Sequence, residues 1–503
     1  MTGESYKYTL EMKKIIILAL SSMMLMISVK SQNIDDALRY SRTFYQGTAR
    51  FNAMGGAFTA LGADLSAISL NPAGVGMYRS FEMSFTPQLL YNNTSSVFNN
   101  SSSTDFRYEF GFNQAGVVAN LIANNNTAGL ITLNAAYSYV RTNNFNENIT
   151  INGISDNSSM ADYWAISSDG VYYTDLSGTA GIVYDAWVMD TITGTGAQHY
   201  ATVFSNYGDN PNSTYGQTMR RLINNDGYSG EHAFSIGGNY SDKVFFGATL
   251  GIAKLRYTGH YEHLEADYDE VIPDFRNFTY TDHFEADGTG FSLKVGTIIR
   301  PVELLRIGLA FHSPVIYRIK EYYYDNISSQ FDDGGKYSFS NEPYRYTYTL
   351  TTPFKAMAGV SVQLQKLGII SADYEIIDYR MARFSNASDD YNYYDENESV
   401  RDILKPSSNI RLGAEFRLNN LYLRGGYGLY GKAFRQGEEN DDLVYNSISA
   451  GIGFRQANFF FDMSFTNLSS KQRYFMYNDP PYLDAATIKT NRNTFAATLG
   501  FKF

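Results

Sequence analysis

The chain ends in NTFAATLGFKF, residues 493–503. In an extended conformation Phe495, Ala497, Leu499, Phe501 and Phe503 share one face, while Thr498, Gly500 and Lys502 share the other. Alternation of period two marks a strand lying between an apolar and a polar environment. FRYEFGFN (106–113) repeats the pattern, with Phe106, Tyr108, Phe110 and Phe112 opposing Arg107, Glu109, Gly111 and Asn113. Leu305, Ile307, Leu309 and Phe311 likewise alternate with Arg306, Gly308, Ala310 and His312. Phe459, Phe461, Met463 and Phe465 alternate with Phe460, Asp462, Ser464 and Thr466, Phe460 being the exception.

Working outward from these segments, about fourteen strands can be placed by the same alternation. They fall at 78–91, 105–122, 129–142, 231–240, 243–262, 278–300 and 303–323. The second half of the chain adds 337–363, 367–380, 407–418, 421–431, 444–455, 458–467 and 494–503. The connections alternate long and short. The long ones are 92–104, 143–230, 263–277, 324–336, 381–406 and 468–493, whereas Ser241-Asp242, Pro301-Val302 and Asn419-Asn420 are tight. Short turns on one side and extended polar loops on the other are the asymmetry of a transmembrane β-barrel, whose even strand number puts both termini on the short-turn, periplasmic side. A soluble sandwich or propeller also alternates, but need not sort its loops by length.

Composition fits the barrel. Tyr (42) and Phe (34) supply nearly all the aromatic content, and beyond the N-terminus no apolar run approaches a membrane helix. The absence of Cys excludes disulfide staples and a lipid anchor attached through Cys, leaving hydrogen-bonded sheet as the framework. Residues 1–31 resemble a signal peptide, with Lys13-Lys14, an apolar core from Ile15 to Val29, and cleavage before Gln32. Glu4 and Glu11 suit such a signal poorly, which leaves Met12 as an alternative start. Removing 1–31 with its four Lys and two Glu takes the net charge from −11 to −13, which argues against nucleic acid as a partner.

Between signal and first strand lies a segment, 32–77, too polar for lipid and too long for a leader. A barrel of about fourteen strands encloses a lumen, and plugging it is the economical use of this segment. Asn71-Pro72 favours a turn, Gly55, Gly56, Gly62, Gly74 and Gly76 allow close approach to a wall, and 35–44 suits a short helix. ARFNAMGGAFTALGADLSAISLNPAGVGM (49–77) resembles the hatch of FadL-type outer-membrane transporters of long-chain fatty acids and aromatic hydrocarbons, with Asn71, Pro72, Ala73 and Gly74 at the Asn-Pro-Ala motif. LLRIGLAFHSP (304–314) and the Phe-terminated last strand are also similar to that family.

The resemblance implies an all-β fold in three parts: signal 1–31, hatch 32–77 and a fourteen-stranded barrel over 78–503, in the outer membrane. It also implies uptake of a hydrophobic small molecule by hatch movement and sideways exit through the wall. Outer-membrane lipid and the barrel-assembly machinery would be partners, Phe503 the assembly signal, and the chain a monomer without cofactor. The alternative is a structural or adhesive barrel with a permanent plug.

Other residues carry two readings each. Met160, Trp164, Tyr172, Tyr173, Ile182, Val183, Trp187 and Met189 in the 143–230 loop would form an apolar landing surface, or the loop's own core. Ser159 and Asp162 place a helix start there. Arg107, Glu109, Arg306 and Lys502 face the lumen; one would hold a ligand carboxylate, or all would be charge ladders touching barrel and hatch. His260, His263 and His283 are conceivable metal ligands, but a spacing of three splits His260 and His263 across a strand, and a solvated loop is preferred to a metal site. An enzyme is not expected, because Gly-x-Ser-x-Gly is absent and no Ser motif neighbours the six His.

Overall fold

The computed structural model describes residues 34–124, 128–192, 198–204, 214–389, 391–477 and 483–503, so the signal segment lies outside the described residues. Fourteen antiparallel strands close into a barrel, and no described helix is long and apolar enough to cross a membrane. The first seven are β1 (Glu82–Phe98), β2 (Ser101–Ala123), β3 (Leu130–Asn144, carried on by Glu147–Ile154), β4 (Thr218–Tyr240), β5 (Val244–Ala266), β6 (Phe275–Val302) and β7 (Leu305–His312, resumed as Ile316–Phe331). The rest are β8 (Tyr344–Thr351, resumed as Lys355–Leu364), β9 (Gly368–Asp378), β10 (Pro406–Leu418), β11 (Leu421–Tyr430), β12 (Tyr445–Arg455), β13 (Phe459–Tyr474) and β14 (Ala486–Lys502). β14 pairs with β1 from Glu82↔Lys502 to Val97↔Thr487, which closes the ring. Every lipid-level strand therefore has two neighbours except where noted below, as a hydrocarbon environment demands.

Burial is inverted relative to a soluble protein. On β1 Met83, Phe85 and Leu89 are exposed, whereas Ser84, Thr86 and Gln88 are buried. On β14 Phe495, Leu499 and Phe501 are exposed and Thr494 and Thr498 are buried. The exposed apolar side of each strand is the lipid face, and the buried polar side faces the lumen. Phe460, the exception in its strand, does point inward, where the Arg455 guanidinium and Lys502 ammonium lie over its ring.

The strand boundaries differ from the expectation in instructive ways. NNTSSVFNNSSST is not a loop: β1 and β2 run through it and turn at Asn99 and Asn100, both with positive φ. Above the membrane both strand faces meet polar surroundings, so alternation vanishes while pairing continues. For the same reason β4 begins at 218 rather than 231, and the 143–230 connection shrinks to 155–217. The run 337–363 is three pieces, Lys336–Ser340 forming a hairpin with β7 before β8 starts. Both β7 and β8 are interrupted at a proline, at Ser313-Pro314-Val315 and Thr352-Pro353-Phe354, where no ring N–H exists to donate.

The connection 155–217 folds over the barrel mouth. It contains helices Met160–Ser168 and Gly178–Asp185 and the small hairpin Met189–Thr191/Tyr200–Thr202. Trp164, Val183, Tyr200 and Phe204 pack there on Phe98 of β1, Met219 and Ile223 of β4, Phe278 of β6 and Ile488 of β14. Ser159 caps the first helix through the Ala161 N–H. Glu265, at the end of β5, accepts from the Ser159 hydroxyl (2.7 Å) and the Met160 N–H (2.7 Å), tying this cap to the wall.

Candidate functional site: the luminal segment, its wall and the open seam

Residues 34–78 lie inside the ring of strands; 47–78 are nearly all buried, whereas 34–46 mix buried side chains with half-buried or exposed ones. Helix α1 (Ile34–Ser41) sits high in the lumen, α2 (Ala49–Ala53) low, and two 3₁₀ turns follow at Ala67–Ser69 and Pro72–Met77. α1 matches the helix expected at 35–44. The turn at Asn71-Pro72 follows from the residues themselves. Pro at the first helical position loses no hydrogen bond, and the Asn71 side chain caps the turn by accepting from the Ala73 N–H (3.0 Å).

The same Asn71 amide also reaches the wall. Its Nδ2 donates to the Thr59 carbonyl at 2.7 Å and lies 3.2 and 3.3 Å from the carbonyls of Thr297 on β6 and Leu309 on β7. This contact needs Gly296, since a Cβ there would lie 2.0 Å from Asn71 Oδ1. Gly247 on β5 similarly admits the Pro72 carbonyl, and Gly74 packs on Gly62 so closely that a Cβ would sit 3.0 Å from its Cα. Ala73 is fully buried against Phe245 and Ile298.

Charge fastens the lower part of the segment. Arg50 donates to both carboxylate oxygens of Glu415 on β10 (2.9 and 3.3 Å), and Glu415 also accepts from Arg424 (2.7 Å), which reaches Asp462 (2.6 Å). Asp373 accepts from the Thr59 N–H and hydroxyl (2.8 and 2.7 Å), and Lys294 and His312 hold the carbonyls of Ser69 and Leu70 (2.9 and 2.8 Å). Of these charged groups the sequence reading named only His312 and Asp462, each as a strand position and not as a fastening for the segment. The signal was present: Arg411, Gly413 and Glu415 alternate with Leu412, Ala414 and Phe416 as clearly as the segments quoted above.

The named luminal charges are placed as follows. Arg306 donates to the Leu61 carbonyl of the segment (2.9 Å). Arg107 pairs with Asp226 and reaches Asn148 (3.2 Å), high on the barrel. Glu109 accepts from Arg141 (2.9 Å) and Asn146 (2.7 Å), and Lys502 pairs with Glu82 (3.0 Å). Of the landing residues, Met160 and Trp164, with Ile182, Val183 and Met189, are inside the cap's core and not on a surface; Tyr172, Tyr173 and Trp187 are exposed. The difference is geometric, because the cap is thick enough to have an interior. His263 is fully buried on β5 beside Glu265 (3.0 Å) rather than in a solvated loop. No group of three metal-ligating side chains converges among the described residues. Phe503 is exposed, its N–H bonded to the Phe81 carbonyl (3.0 Å) and its ring 5.7 Å from that of Phe81.

The wall is incomplete at one place. β2 and β3 pair from Ala123↔Thr132 only as far as Gln114↔Val140, so residues 101–113 of β2 have a strand partner in β1 alone. From there β3 bends inward and pairs with the luminal segment: Phe44 and Gln46 donate to the carbonyls of Thr142 (2.7 Å) and Arg141 (2.9 Å). Glu147–Ile154 then crosses behind the β1–β2 hairpin. Side chains of β1 donate to the carbonyls here, Asn92 to Asn146 just before the segment (3.1 Å) and Thr94 to Asn148 within it (2.6 Å). Between the two strands stand Gly111, Arg141 and Glu109. Further inside, a cavity of about 310 Å³ opens beside α1, lined by Arg39, Arg42, Asn144, Tyr257 and Arg492 among others. A smaller pocket next to it touches Tyr40, Lys294, Thr352 and Lys355.

A fourteen-stranded transmembrane barrel with its N-terminal segment folded into the lumen and one strand bent out of the wall is the class defined here. Among solved structures, the fold is similar to that of the P. putida toluene transporter TodX (TM-score 0.52, 10% identity, 91% of this chain and 98% of that one). It is similar also to a Pseudomonas aeruginosa FadL homologue (TM-score 0.54, 10% identity, 92% and 100%). By sequence, no family profile and no curated protein matches the chain.

Proposed function

We propose that this protein is an outer-membrane transporter that takes up a hydrophobic small molecule, such as a long-chain fatty acid, and releases it sideways into the membrane. The observation that carries the reading is the seam between β2 and β3, where the ladder stops at Gln114↔Val140 within the lipid-facing band. An unpaired strand edge at membrane depth is tolerated only where it borders a cavity, so the seam is a built opening rather than a flaw. An apolar solute gains by leaving the wet lumen directly into lipid. The segment 32–77 acts as the hatch, and Asn71, Pro72, Ala73 and Gly74 hold it closed. Tyr172, Tyr173 and Trp187 remain the exposed part of the landing surface. The chain works as a monomer without cofactor or catalytic step, and Phe503 marks the last strand for the assembly machinery.

Gly111 offers the test. A Cβ there meets only side-chain atoms, the Arg141 guanidinium at 3.1 Å and the Glu109 carboxylate at 3.3 Å, so Gly111→Phe introduces bulk at the seam where flexible side chains can give way. Uptake of labelled fatty acid should fall severalfold in this variant while its heat-modifiable gel migration is kept. Full uptake by a folded Gly111→Phe would remove the sideways route.

A further inference from the structure

The outer surface of the barrel is uneven in charge just above its apolar band. On β5, β6 and β7 the last fully apolar row is Ile252, Phe291 and Ile316, paired Ile252↔Phe291↔Ile316. The next row outward-facing is Lys254↔Thr289↔Arg318↔Thr349, and the one above it Arg256↔Asp287↔Lys320↔Thr347. Arg345 and Arg383 flank these rows on β8 and just beyond β9. All six cations are exposed, and none has an ion-pair partner among the described residues. Lys254 reaches only the Thr289 hydroxyl (2.8 Å) and Arg318 only the Asn386 carbonyl (2.9 Å). Asp287 is the acid within the rows; Glu285 beside them is held by His283 (2.9 Å), and Asp378 by Arg380 (2.7 Å).

On the far side of the barrel the two rows directly above the apolar band are neutral, and cations begin only in the third, at Lys471↔Lys489. There Phe465↔Phe495↔Leu89 is followed by Asn467↔Asn493↔Tyr91 and then Ser469↔Asn491↔Asn93. Asn467 donates to Asn493 across the strands (2.9 Å). What distinguishes the wall of β5 to β8 is therefore that its cations stand in the two rows directly above the apolar band, on a chain of net charge −11.

We propose that this face of β5 to β9 binds the phosphate-bearing headgroups of an outer-leaflet glycolipid, Lys254, Arg318 and Lys320 making the central contacts. The inference rests on the membrane location proposed above. Strands lie about 4.8 Å apart, so Lys254 and Arg318, two strands apart, stand about 10 Å from each other. That spacing lets one headgroup be gripped from both sides while its acyl chains lie on Ile252, Phe291 and Ile316. Arg and Lys at the rim of the apolar band place charge where lipid phosphates sit, and free donors give charge-assisted bonds that need no rearrangement of existing pairs.

The test titrates fluorescent, phosphorylated lipid A into the full-length protein in neutral detergent. Wild type should bind saturably. The triple variant Lys254→Ala/Arg318→Ala/Lys320→Ala should bind roughly 100-fold more weakly, on the scale of about fivefold per cation near a charged membrane surface. Lys471→Ala/Lys489→Ala, on the opposite wall and a row farther from the apolar band, should bind as wild type does, and dephosphorylated lipid A should bind neither wall. Equal affinity of the triple variant and wild type overturns the proposal. So does displacement of the lipid by millimolar inorganic phosphate, which would show a site for free anions. Heat-modifiable migration of each variant separates these outcomes from loss of the barrel itself.

Discussion

The lower and upper halves of the lumen are closed by different chemistry. Below, the segment around α2 is fastened by directional bonds: Arg50 to Glu415, Thr59 to Asp373, Lys294 and His312 to backbone carbonyls. Above, α1 is held by packing, with Ala37, Leu38 and Tyr40 set among Leu255, Tyr257, Tyr317, Tyr348 and Phe434. The Arg39 guanidinium lies 4.4 Å over the Tyr257 ring, and the cap beyond has a core of its own. Charge-assisted bonds lose their value once geometry slips, whereas aromatic packing tolerates small rearrangements. The lower half is thus held by bonds that are either made or broken, and the upper half by contacts that tolerate small shifts.

The sharpest way to break this comparison is to remove Glu415. Glu415→Ala leaves Arg50 and Arg424 buried without their shared partner, which typically costs about 3–5 kcal/mol. The lower segment should detach, raising single-channel conductance and amide exchange over 49–77 while the barrel still migrates as folded. Unchanged conductance would mean the lumen is closed from above, by the cap.

Trp164 probes the other half. It is buried against Phe278 and Tyr280, with ring centroids 5.8 and 5.2 Å away. Trp164→Ala should weaken the cap by about 3–5 kcal/mol. Proteolysis should then cut within 155–217 first, with conductance nearly as in wild type. A conductance rise equal to that of Glu415→Ala would erase the distinction between the halves.

Smaller effects refine the lower half. Asn71→Ala removes the cap of the Pro72–Met77 turn, at about 1 kcal/mol, together with the bonds to the wall, and should raise exchange over 71–77 with a conductance rise much smaller than that of Glu415→Ala. Pro72→Gly loosens the unfolded chain by about 0.4–1 kcal/mol and should show the same pattern more weakly. Larger exchange in Pro72→Gly than in Asn71→Ala would put the closing role in the ring of Pro72 and not in the amide of Asn71.

Much of the architecture was legible in the chain. Each of the fourteen segments corresponds to a barrel strand, because lipid on one face and water on the other write a period of two into the residues. Asn71-Pro72 announced its turn for an equally local reason, a capping amide followed by a residue with no N–H. What sequence reading missed lies where that contrast disappears. The polar run 92–104 is strand, because above the membrane both faces of β1 and β2 meet polar surroundings. Met160 and Trp164 could be read as surface or core, since burial in a loop depends on what folds over it.

By itself, then, the sequence determined the membrane-facing pattern, the strand count and the local form of the Asn71-Pro72 turn, all set by neighbours within a few residues. Only the tertiary structure decided which charges meet and where the wall opens. Arg50 and Glu415 are 365 positions apart and come together solely through ring closure around the segment. The end of the β2–β3 ladder at Gln114↔Val140 depends on Phe44 and Gln46 drawing β3 inward, a competition between two backbones for the same hydrogen bonds. No local pattern records the winner of such a competition, because its stakes are set by residues distant in the chain.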